Sequence, residues 1–103
     1  MNKVILHGNL TKEPETKTSG KGKKKREFTT FSLAVNERDD VDYFNCIAFG
    51  KTGELLYEHF TKGSEVLVLG RIKNNTWTDD YDNNHYDQTI FVDSFDFCGK
   101  KDE

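Results

Sequence analysis

A chain of 103 residues, 32% charged and 34% hydrophobic, has room for one domain with one modest core and no room for a second. Mean hydropathy is −0.80, yet 13% of the residues are aromatic and Val, Ile, Leu and Phe gather in short runs, which excludes wholesale disorder. The apolar run near the start, Val4-Ile5-Leu6, is too short for a signal peptide or a membrane span, so the expectation is a soluble, cytoplasmic protein with no membrane partner.

The net charge of −3 conceals an uneven distribution: residues 1–38 carry nine Lys/Arg against four acids, and the other 65 carry six against fourteen. A local basic patch governs contact with phosphate more than the total does. The two cysteines, Cys46 and Cys98, stand far apart, and His7, His59 and His85 are scattered. That matches no metal-ligand spacing, and no disulfide, metal or cofactor is expected.

In chain order, "VILHGNL" (4–10) reads as a first strand. "TKEPETKTSGKGKKKRE" (11–27) holds the only proline among polar and charged residues and is expected to be a long, mobile loop. "FTTFSLAVN" (28–36) places Phe31, Leu33 and Val35 at period two, opposite Thr30, Ser32, Ala34 and Asn36. One face buried and one wet suits an antiparallel sheet or small barrel. "VDYFNCIAFG" (41–50) reads as a third strand. "TGELLYEHFTKG" (52–63) sets Leu55, Leu56, His59 and Phe60 at helical spacing and stops at Gly63. "SEVLVLGRIK" (64–73) is a fourth strand, with Gly70 allowing a bend. "NNTWTDDYDNNHY" (74–86) reads as an extended hairpin turning at Asp82-Asn83-Asn84, and "DQTIFVDSFDFC" (87–98) as the last strand. Three strands, one short helix and two more strands are the element order of a five-stranded OB-fold barrel, all-β apart from the helix between strands three and four. The order alone does not establish closure.

"AFGKTGELL" (48–56) invites comparison with a nucleotide-binding P-loop. That motif needs a glycine five positions before Gly50, and Asn45 stands there, inside continuous strand. "DDYDNN" (79–84) lacks the closing glutamate of a calcium loop. No nucleophile elbow, zinc-protease pair or clustered acid pair is present in the sequence, and no enzyme is expected.

In "YFNCIAFGK", alternation puts Tyr43, Asn45, Ile47 and Phe49 on one face and Phe44, Cys46 and Ala48 on the other. The small Cys/Ala face suits a curved barrel interior, and the Tyr/Asn/Phe face suits flat contacts. Trp77 sits among polar residues, so it is a candidate for stacking on a base. Each has a plainer reading: Tyr43 and Phe49 as core or interface, Trp77 packed on its own hairpin, and "KGKKKRE" as a solvated loop.

Taken together these stretches resemble a known family. "MNKVILHGNLTKEPE", "FSLAVN", "VDYFNCIAFGKTGELLYEHFTKGSEVLVLGRI" and "TWTDD" are similar, in order and spacing, to bacterial- and phage-type single-stranded DNA-binding proteins. The resemblance implies an OB-fold domain over 1–98 with a long hairpin between its fourth and fifth strands, and a short polar tail at 99–103. It implies base stacking on Tyr43, Phe49 and Trp77 and phosphate contacts from Lys51, Lys62, Lys73 and nearby Arg71. Lys51 is then expected to meet a DNA backbone and not ATP. The basic loop residues Lys21, Lys23, Lys24, Lys25 and Arg26 are expected to replace contacts that the sparse "KNNT" before Trp77 does not supply.

The implied activity is coating of single-stranded DNA in replication, recombination and repair, alongside replication or recombination proteins. The implied assembly is a homotetramer built from dimers through the first strand. His7 stands there where an aliphatic residue is more usual, which leaves tetramer against dimer open. The aromatic often found after the second strand is missing from "NERDDVD". The end at "FCGKKDE", without the long tail of cellular members, is expected of a phage- or plasmid-type member or of a trimmed core. The alternatives are a primosome-type OB interaction protein that binds single strands weakly, and an RNA-binding OB domain.

Overall fold

The computed structural model describes residues 1–20 and 22–98, and of Lys24 the backbone alone. The strands are β1 (Val4–Leu10), β2 (Glu15–Ser19), β3 (Arg26–Glu37), β4 (Asp40–Phe49), β5 (Glu65–Thr78) and β6 (Asn84–Phe97), with one helix, α1 (Gly50–His59), between β4 and β5. The five strands and the helix read from sequence are all present. The tail at 99–103 lies outside the described residues.

The sheet runs β1-β5-β6-β4-β3 and returns to β1, so it closes into a ring. All pairings are antiparallel except β4 with β6, where Asn45, Cys46 and Ile47 face Thr89, Ile90 and Phe91 in parallel. This is the OB-fold barrel. Closure depends on β1 changing partners: Val4 to Asn9 pair with β5, and Asn9 and Leu10 with Ala34 and Leu33 of β3. The crossing is tight at Gly8, where a Cβ would stand 2.3 Å from the Ala34 carbonyl oxygen. No side chain fits there.

One segment departs from the sequence reading. Within the expected loop 11–27, Glu15–Ser19 forms β2, paired antiparallel with Arg26–Thr30 on the same edge of β3 that β1 uses further along. A short 3-10 turn, Gly22–Lys24, follows. Every residue of β2 is exposed, so no alternation of apolar side chains marks it in the sequence. Backbone pairing carries it.

The interior follows period two. Phe31 and Leu33 of β3, Cys46 and Ala48 of β4, Val66 and Val68 of β5 and Ile90 and Val92 of β6 are buried. α1 closes one end of the ring with Leu56, and Phe60 just beyond it packs against Phe95 and Phe97 with ring centroids 5.3 and 5.0 Å away. The helix is also tied down by a buried hydrogen bond, Thr29 Oγ1 donating to the Gly53 carbonyl at 2.9 Å. The helix starts earlier than its apolar spacing indicates, because Gly50, at φ +58°, turns the chain straight out of β4. Beyond the barrel, β5 and β6 continue as a two-stranded arm, paired from Lys73↔Thr89 to Thr78↔Asn84. The arm turns through Asp79–Asn83, slightly before the turn expected from sequence.

Candidate nucleic-acid interface

Inward burial of Phe31, Cys46, Val68 and Ile90 sends their neighbours outward. On β3 these are Arg26, Phe28, Thr30, Ser32 and Ala34; on β4, Phe49, Ile47, Asn45 and Tyr43; on β6, Phe91 and Thr89; on β5, Arg71 and Lys73. The register lays them in rows across the sheet. Phe28 faces Phe49; Thr30 faces Ile47, then Phe91 and Arg71; Ser32 faces Asn45, then Thr89 and Lys73; Ala34 faces Tyr43. The arm extends the same face with Trp77 opposite His85.

The result is an open groove with a polar floor and aromatic ends. Thr30, Ser32, Asn45, Ile47 and Thr89 line it, and Lys12, Glu13, Glu15 and Lys17 border it from the β2 side. At one end Tyr43 is 68% exposed and, out on the arm, Trp77 is 51% exposed. At the other end Phe49 is half-buried between Phe28 and Phe91, with centroids 5.8 and 5.5 Å away. The Arg26 guanidinium lies over Phe49, 4.6 Å from the ring centroid, and that of Arg71 stands 6.0 Å from the Phe91 centroid. Arg71 also approaches Asp93 at 3.9 Å.

Of the residues singled out from sequence, Tyr43, Phe49, Trp77, Arg26, Arg71 and Lys73 are brought to this one face. Lys51 is in the first turn of α1, beside Phe49 in the chain, exposed and 3.9 Å from Glu54. Lys62 is in the turn after α1; its backbone N–H donates to the Glu13 carboxylate at 3.1 Å, which sets it at the groove's rim and not on the sheet. Lys23, in the middle of the 3-10 turn, and Lys25, just after it, are exposed. Lys21 and the Lys24 side chain lie outside what is described.

Sequence reasoning missed Phe28, Phe91, Lys12 and Lys17. The inward phase of Phe31 and Ile90 was the available signal for the two phenylalanines, since residues three before and one after must point out. Lys17 was hidden by reading β2 as loop, and Lys12 by standing in the bend ahead of that strand. Tyr86, 79% exposed, sits on the opposite face of the arm, paired with Thr76.

Among the described residues no group of three His, Cys, Asp or Glu side chains could hold a metal ion. Burial pushes the Cys46 thiol up to about 12, which keeps it protonated and unreactive at neutral pH. No helix among the described residues is long and apolar enough to cross a membrane.

Comparison with known proteins agrees with this geometry. Residues 1–98 match the model of the single-strand binding protein family. The chain belongs to that family. A single-stranded DNA-binding protein of Clostridium perfringens is 42% identical over 101 residues, covering 94% of this chain and 65% of the relative. One from Fusobacterium nucleatum is 39% identical over 82 residues, 71% of this chain and 51% of the relative. One from Helicobacter pylori is 32% identical over 111 residues, 99% of this chain and 60% of the relative. The chain thus spans between half and two thirds of these relatives' length. In this member of the single-strand binding family, the shared region contains both the barrel and the arm.

Proposed function

We propose that this chain binds single-stranded DNA without reading its sequence and performs no catalysis. One observation carries the reading: a single open sheet face presents aromatic rings at both ends and cations along its borders. Exposed bases have π faces whatever their identity, so Tyr43, Trp77 and the Phe49 cluster can hold them by stacking, at ~1–3 kcal/mol each. Arg26, Arg71, Lys73, Lys12 and Lys17 then follow the phosphates, displacing counterions. Lys51 and Lys62 extend the cationic track beyond the sheet, together with the basic residues Lys21, Lys23, Lys24 and Lys25 of the sequence. A duplex is excluded because its bases are already stacked on each other and offer this surface only phosphate.

The same proposal includes service in replication, recombination and repair, and self-association as a tetramer. Ile5, 67% exposed on the outward side of β1, supports a contact between copies there. The test is competition: a labelled oligo(dT) bound to the protein is challenged with unlabelled DNA single strand, duplex and RNA of equal length. Displacement by the DNA single strand alone supports the reading. Equal displacement by RNA favours a general single-strand role, and displacement by duplex overturns the stacking mechanism.

A further inference from the structure

Phe49 is a poor open plate for a base. Its edges are taken by Phe28 and Phe91, tilted at 50° and 54°, and the Arg26 guanidinium covers the remaining face at 4.6 Å. Arg26 itself is exposed. It stands on the outward side of β3 opposite Ser19, a residue too small to cover it. Among the described residues no carboxylate pairs with it.

We propose that Arg26 is the stacking surface at this end of the groove: a base lies on the outer face of the guanidinium, with Phe49 supporting it from beneath. The inference rests on the single-strand reading above and changes what two of its residues do. A guanidinium is planar and weakly hydrated on its faces, so it can stack on a ring on one side and a base on the other. Its N–H groups point out at the edge, where they reach phosphate oxygens without leaving the stack. Phe28 and Phe91 pack against the Phe49 ring and hold it in place under the guanidinium. A lysine at this position would keep the charge and lose the plate.

The experiment compares wild type, Arg26→Lys and Arg26→Ala in titrations with labelled oligo(dT) over a series of salt concentrations. Position 26 is exposed, so neither change threatens the fold. Arg26→Lys is expected to keep the wild-type salt slope while binding about tenfold more weakly at every salt, the size of one lost stacking contact. Arg26→Ala is expected to lose that tenfold and also about 0.7 of the salt slope. A second readout is the shift of the Arg26 δ-methylene protons, which a guanidinium held over the Phe49 ring is expected to show upfield in the free protein. Protons that stay upfield in the complex support the sandwich. A return downfield means a base has displaced the guanidinium, and it overturns the proposal, as does Arg26→Lys binding within about twofold of wild type. Failure of wild type to bind oligo(dT) would overturn the single-strand reading itself, a different result from an insensitive lysine variant.

Discussion

The imidazole of His85 lies beneath the indole of Trp77, centroids 5.2 Å apart and planes 17° from parallel. The two are cross-strand partners on the arm. Asp79 completes the arrangement: one carboxylate oxygen accepts from His85 Nε2 at 2.7 Å, and the other accepts the backbone N–H groups of Tyr81 and Asn83 at 2.8 and 3.0 Å. One side chain therefore ties the turn and orients the plate under Trp77, while Trp77 itself stays 51% exposed.

His85→Ala is expected to red-shift Trp77 emission in the free protein, because the indole loses its cover. Binding to oligo(dT) should weaken a few-fold, in keeping with the ~1 kcal/mol upper range of a cross-strand pair. The salt slope should stay unchanged, since what is lost is the plate that positions Trp77 and not a phosphate contact. An unshifted emission would mean that the stack does not persist in solution.

Acid should loosen the arm's tip. The hydrogen bond from His85, then the N–H groups of Asn83 and Tyr81, hold the Asp79 carboxyl below its ordinary range. A carboxylate held this way stabilises fully above its unfolded value of ~4, and that contribution is lost as pH falls through the depressed folded value. Protection of the Tyr81 and Asn83 amides, taken relative to their intrinsic exchange rates at each pH, is expected to fall below about pH 4. In Asp79→Asn this acid step should vanish while the turn bonds survive through the amide oxygen.

Stacking and charge should separate cleanly across the groove. Tyr43→Ala is expected to cost ~1–3 kcal/mol of oligo(dT) affinity with the salt slope kept. Lys73→Ala is expected to lower the slope by about 0.7 and weaken binding evenly across base compositions. Titrations at three or more salt concentrations distinguish the two.

How much of this was legible depends on which side of the sheet carries the signal. Leu33, Cys46, Ala48 and Val68 announce their strands by period two, because one side of each strand is buried and the other wet. From that phase the outward face of Tyr43 and Phe49 follows. β2 was invisible for the opposite reason: "ETKTS" buries nothing, and its strand exists only because β3 offers an unpaired edge. Phe28 and Phe91 were obscured by chemistry, since a phenylalanine in an apolar run looks like core whichever way it points. The cover of Arg26 over Phe49 has no sequence signature. It arises from a β3–β4 register that local pattern does not specify.

Inside the barrel, Thr29→Val should destabilise by about 0.5–1.5 kcal/mol, because the Gly53 carbonyl keeps its helical partner and loses only the tie from β3. Urea unfolding measures it. A much smaller cost would mean that α1 is held by Leu56 and Phe60 alone.

The most direct test of single-strand binding is Trp77 emission during titration with oligo(dT) at increasing salt. The groove predicts saturable quenching at low salt, with log affinity falling against log salt at a slope of roughly −2 to −4, as three to six neutralised phosphates require. No quenching and no saturation at low salt, or an equal response to a duplex of the same length, would contradict the account.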